Sequence, residues 1–162
     1  PRVTLFDSRG KSANVSYLVI RQNSKINAVG TKEAPIVMTS SAKDGDRKRG
    51  QWGGLILNGN APLNSGETNQ GEGGTGTYGG DDPEDSSGKL KYVRVEFAGT
   101  LFTEEDELNG ISFQGVGSGT ELDYIQVHMN KDDGVEFFGG TASIKHLVLT
   151  GIGDDSLDWK DG

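Results

Sequence analysis

The chain has 162 residues, 26 of them glycine, and 32% hydrophobic residues, a composition that suits one domain of many short strands closed by glycine turns. A net charge of -8 disfavours nucleic acid, anionic membrane surfaces and polyanionic substrates, and favours cations and neutral ligands. The absence of cysteine excludes a disulfide scaffold, thiolate metal sites and a cysteine nucleophile.

In chain order, the first third holds three short apolar runs, at 17–20 (YLVI), 24–30 (SKINAVG) and 34–40 (APIVMTS), broken by RQN and GTKE. Each is short enough for a strand and far too short to cross a membrane, so no membrane span is expected. GGLIL at 53–57 is a fourth strand. The stretch 66–88, rich in Gly, Asp and Glu, is too long for a coil turn and reads as a surface excursion, with Tyr78 near its tip. Alternating strands then follow, with Val93, Val95 and Phe97 in one and Ile125, Val127 and Met129 in another. AGTLFTEEDELN, at 98–109, separates them as an inserted loop.

These strands repeat. A shift of 22 residues carries Leu122 onto Ile144, Ile125 onto Leu147, Val135 onto Leu157, Glu136 onto Asp158 and Phe137 onto Trp159. A shift of 32 carries Leu90 onto Leu122 and Tyr92 onto Tyr124, and NGISF at 109–113 matches both DGVEF at 133–137 and GGLIL. Units of about 20 to 25 residues, each with two or three short strands, predict a parallel β-solenoid. The expectation is one all-β domain over 1–162, a right-handed single-stranded parallel β-helix of about six coils. The chain starts without a methionine and shows no cap after Gly162, so it is expected to be a fragment of a longer protein. Its last coil is expected to offer an edge for end-to-end association.

The phrases GQWGGLILNGNAPLN, YGGDDPEDSSGKLKYVRVEFAG, ELNGISFQGVGSGTELDYIQVHMNKDDGVEFFGG and GDDSLDW together resemble a large family of secreted bacterial right-handed parallel β-helix proteins, many of them surface lipoproteins. The resemblance runs from about Tyr17 onward. It implies the fold and an extracellular or cell-envelope location. It carries over no activity and no catalytic residues.

The acidic phrase NKDDGVEFF at 130–138 recurs as GDDSLDW at 153–159. Stacked strands would bring Asp132, Asp133 and Glu136 beside Asp154, Asp155 and Asp158, with Glu136 and Asp158 on the outer face. Like charges directly opposite on a sheet repel, so the stack calls for an explanation. One is a Ca²⁺ ion held by these six carboxylates, with Asn130 or the acids Asp81, Asp82, Glu84 and Asp85 of the excursion contributing. Another is a polysaccharide-active enzyme of the polygalacturonase-like kind, with Asp132, Asp154 and Asp155 as catalytic residues, in the order Asn-x-Asp and then Asp-Asp. The plain alternative is that the repeated Asp residues form turns. The leading expectation is a structural or binding module of a secreted or cell-surface protein, contacting glycan or another surface protein. His128 and His146 lie 18 apart and so at different positions of the coil, which reads as surface histidines rather than a metal pair. Tyr92, Tyr124 and His146 fall in register and predict a cross-strand stack.

Overall fold

The computed structural model describes residues 2–3, 15–102 and 107–162. Two parallel sheets carry the fold. The first contains β1 (Arg2–Val3), β3 (Ile26–Val29), β4 (Ile36–Met38), β8 (Gly88–Glu96), β10 (Glu121–His128) and β12 (Ile144–Thr150). The second runs β13 (Leu157–Lys160), β11 (Val135–Phe138), β9 (Ile111–Gln114), β5 (Leu55–Asn58) and β2 (Leu18–Ile20). Apart from β3 and β4, which follow one another in the first sheet, and the separate β6–β7 pair, the chain alternates between the two sheets and stacks each new strand beside an earlier one, which is the arrangement of a parallel β-helix. Among the described residues there are five rungs where the sequence suggested about six.

Every shift read from the sequence is a strand register. Leu122 pairs with Ile144 and with Leu90, Val135 with Leu157 and with Ile111, and Leu55 with Ile111. Alternation places Leu90, Val93, Val95, Ile125, Val127, Leu55, Leu57, Ile111, Phe113 and Val135 inside one column, each 1% exposed or less. Burying each of these side chains contributes roughly 1.5–3 kcal/mol before entropy is counted.

The first sheet bends within its strands. Leu90 and Val93 both point inward although they are three apart, because Tyr92 between them has a φ of 50°. Tyr124 and His146 repeat that left-handed conformation at the next two rungs. A side chain there is strained by about 1 kcal/mol or more. The stack offsets the strain: the Tyr92 and Tyr124 rings lie 4.5 Å apart, and those of Tyr124 and His146 lie 4.2 Å apart. β3 pairs with the first half of β8 and β4 with the second, so the loop between β3 and β4 spans the bend. Gly88 starts β8 at a φ of 108°, and a Cβ there would collide with the Ile26 carbonyl.

The excursion is an ordered cover. It contains a hairpin of β6 (Asn69–Gln70) and β7 (Thr77–Tyr78) around one 3-10 turn at Glu72–Gly74. Its second half lies along 117–119, where Ser118 N–H donates to the Pro83 carbonyl at 3.0 Å and Gly119 N–H to that of Asp85 at 3.1 Å. Tyr78 is 2% exposed and packs edge-on against Phe138, with Leu63 beside it, so it is not a surface aromatic. Leu108 of the inserted loop, with Val15, Tyr17 and Val19, covers the outward Ile56 of β5, and the excursion covers Asn58 through Thr75; all four residues of β5 and of β9 are buried. Residues 103–106 of that loop lie outside the described residues.

No helix among the described residues is long and apolar enough to cross a membrane.

Candidate acidic site

The outer face of β11 and β13 leads with Glu136 beside Asp158, in register. The preceding turn repeats from rung to rung: Gly110 N–H donates to the Asp133 carbonyl and Gly134 N–H to the Asp155 carbonyl, each at 2.9 Å. This makes a column of Asn109, Asp133 and Asp155. Asp133 is held from both sides. Its carbonyl accepts the Asn130 side-chain amide, and its Oδ1 accepts the Asp155 backbone N–H at 2.9 Å.

Two acidic groups result. Asp132, Asp133 and Asp154 form one, and Asp133, Glu136 and Asp158 the other; in each, one carboxylate oxygen per residue lies within 4.8 Å of the others. Asp133 belongs to both. Five of the six acids expected to act together therefore meet. Asp155 is the sixth, and its carboxylate is in neither group, although its charge adds to the repulsion on Asp133. The excursion acids Asp81, Asp82, Glu84 and Asp85 also lie outside both groups. Asp85 instead accepts from the Asn60 side chain at 3.1 Å.

Although it points out of the sheet, Glu136 is 6% exposed and its carboxylate accepts the Asn109 side-chain amide. Burial, then the negative charge of Glu72 on the excursion, push its pKa up to about 8 against the Asn109 bond, with Asp133 and Asp158 adding to the rise. Burial likewise raises Asp133; the Asp155 N–H bond counters this, and Asp158, Asp154 and Asp155 add repulsion. Asp132 is pushed up to about 7 by burial and by a hydrogen bond with Glu107, whose own pKa is lowered by Asp132 and by Lys131 at 3.2 Å. The cluster thus resists full ionisation. Protons relieve the repulsion, and a cation bound among the carboxylates would do the same.

Asn109 supplies a further feature. It is 1% exposed, one amide nitrogen is engaged by Glu136, and its Oδ1 has no hydrogen-bond partner. A buried carbonyl oxygen on a residue bonded to Glu136 is an oxygen of the kind hard cations take.

Three contributors escaped the sequence reading. Asn109 had a signal, since NGISF aligns it with Asp133. Glu107 and Glu72 sit in the inserted loop and the excursion, where no repeat exists to place them.

A family model described as a pectate-lyase-like beta helix domain matches residues 4–162. No curated protein and no solved structure matches the chain.

Proposed function

The chain belongs to the pectate-lyase-like β-helix family, and from that premise we propose that it is a structural or binding module stabilised by Ca²⁺ at Asp133, Glu136, Asp158 and Asn109, with Asp132 and Asp154 extending the site. The observation that carries the reading is the meeting of the three carboxylates of Asp133, Glu136 and Asp158, with a buried asparagine bonded to Glu136 whose Oδ1 has no partner. An ion there would replace protons on Glu136 and Asp133, relieve their repulsion and fasten β11 to β13. It would also offset the repulsion between Glu136 and Glu72 of the excursion. The module suits a secreted or cell-envelope protein that contacts glycan or another surface protein. An edge contact at the last rung would cover Leu157 and Trp159, which are 44% and 68% exposed.

The test is thermal unfolding with CaCl₂ and with chelator. A midpoint that rises with Ca²⁺ in the wild type, and does not in Glu136→Gln or Asp158→Asn, supports the site. A wild-type midpoint indifferent to Ca²⁺ removes it.

The second reading is a polysaccharide-active enzyme using Asp132, Asp154 and Asp155. One observation favours it: a carboxyl with a pKa near neutrality, Asp132, stands beside the carboxylates of Asp133 and Asp154, as an acid beside a base. The separate placement of Asp155 weighs against the full set. Release of reducing ends from a polysaccharide panel, lost in Asp154→Asn, would support it; no release from any polysaccharide would exclude the hydrolase.

A further inference from the structure

Beneath the excursion lies a second polar cluster that the acidic site does not use. Asn58 ends β5 and Gln114 ends β9, and the two are register partners on the covered outer face. Thr75 follows the 3-10 turn of the excursion. The three residues are 1%, 1% and 3% exposed. Asn58 Nδ2 donates to the Thr75 carbonyl at 3.1 Å, which fixes the carboxamide and leaves its oxygen over. Asn58 Oδ1, Gln114 Oε1 and Thr75 Oγ1 are all buried without a hydrogen-bond partner.

Glycines shape the space between them. A Cβ on Gly71 would collide with both Gln114 Oε1 and Thr75 Oγ1, so these oxygens face each other across the volume that the missing side chain leaves. The backbone does not require glycine there, since Gly71 has a φ of -68°. A Cβ on Gly76 would stand 3.2 Å from Asn58 Nδ2. Above Asn58, a cavity of about 370 Å³ lined by Arg21, Gln22, Gln70, Gly76 and Thr77 leads to solvent.

We propose that Asn58 Oδ1, Gln114 Oε1 and Thr75 Oγ1 hold a monovalent alkali cation between the excursion and the sheet. The two buried carboxamide oxygens call for a cation or a donor, and amide and hydroxyl oxygens replace the hydration shell of Na⁺ or K⁺. A divalent ion prefers carboxylates, and those lie in the acidic site. Glu72, next to Gly71 in the chain, and the net charge of -8 supply a favourable field. Arg21 at the cavity opposes a doubly charged ion twice as strongly as a singly charged one. The ion joins β5 and β9 to the turn at Gly71–Gly76, so it fastens the cover independently of any Ca²⁺.

Thermal unfolding tests this in sodium, potassium, rubidium and tetramethylammonium chlorides at one ionic strength. Chelator is present throughout, which separates the result from the fate of the Ca²⁺ reading. The expected outcome is a midpoint about 3 °C higher in at least one alkali salt than in tetramethylammonium, whose bulk excludes it from the cradle. Thr75→Val and Gln114→Leu each delete one oxygen and are expected to abolish that difference. Gly71→Ala fills the space and is expected to do the same; should it fail to fold, the other two variants decide. Equal midpoints in all four salts overturn the proposal. So does a crystal grown in whichever alkali chloride gives the highest midpoint that shows an ordered water only, with no ion among the three oxygens.

Discussion

Oδ1 of Asp133 accepts the backbone N–H of Asp155, its own copy one rung further along the chain, at 2.9 Å. The repeated Asp therefore makes a turn bond between coils while its charge is raised in energy by its neighbours. The two roles separate by substitution. Asp133→Asn keeps an oxygen acceptor and removes the charge, whereas Asp133→Ala removes both. In chelator at neutral pH, urea unfolding is expected to place Asp133→Asn at or above the wild type. Asp133→Ala should fall about 1 kcal/mol below it. Equal losses for both variants would mean that the turn bond contributes nothing.

The pH dependence follows from Glu136. Its pKa is raised from 4.5 to about 8 in the folded state. Between those values the folded protein holds a proton that the unfolded chain has released, so stability falls as pH rises through this window and levels off above it. Asp132, raised from 3.8 to about 7, adds a fall that ends earlier. In chelator, the thermal midpoint is expected to decline from about pH 5 to pH 8, and Glu136→Gln should flatten the part above pH 7. Ca²⁺ should remove the decline in the wild type, since the ion displaces the proton. A Glu136→Gln profile that overlays the wild type would show that Glu136 is solvated.

The fold was legible because a solenoid writes its contacts into the sequence as shifts. Aligning Glu136 with Asp158 and Tyr92 with Tyr124 already states which strands touch. The turn at Asp133 was legible for the same reason. What did not repeat was hidden. The excursion at 66–88 has no copy, so nothing in its glycines showed that it folds back over β5 and β9, buries Tyr78 and brings Glu72 toward Glu136. That cover bears on the chemistry, since the charge of Glu72 adds to the rise in the Glu136 pKa. Asp155 is the opposite case: the repeat preserves its residue type, but its carboxylate is in neither acidic group, while its backbone N–H binds Asp133 and its charge adds to the repulsion there.

The aromatic stack makes a separate prediction. Tyr124 lies between Tyr92 and His146, and Lys91 Nζ sits 6.0 Å from its ring centroid. Both faces of the Tyr124 ring are occupied by protein, so this ring supports the sheet and offers no face to a sugar. Tyr124→Ala should cost about 1–3 kcal/mol in urea unfolding, from two lost ring contacts. Addition of oligosaccharide should leave the Tyr124 fluorescence and ring NMR signals unchanged. Perturbed signals would show a ligand entering the stack.

The last prediction tests how the core is loaded along the column. Leu57, Phe113, Phe137 and Trp159 occupy one inward position on successive rungs. Leu57 and Phe113 are fully buried, Phe137 is partly buried, and Trp159 is 68% exposed on the last strand of its sheet. Phe113 stacks on Phe137 at 5.0 Å and has strands on both sides. Truncation at Phe113 leaves a cavity that its neighbours cannot fill, and should cost about 3–5 kcal/mol. Phe137→Ala should cost less, because solvent already reaches that rung past Trp159. Trp159→Ala should cost under about 1 kcal/mol, as an exposed side chain loses little burial. Urea unfolding of the three variants should therefore give a falling series toward β13. A loss at Trp159 as large as that at Phe113 would mean that the last rung is covered in solution, for example by an edge contact with another molecule, and dilution should then weaken the effect.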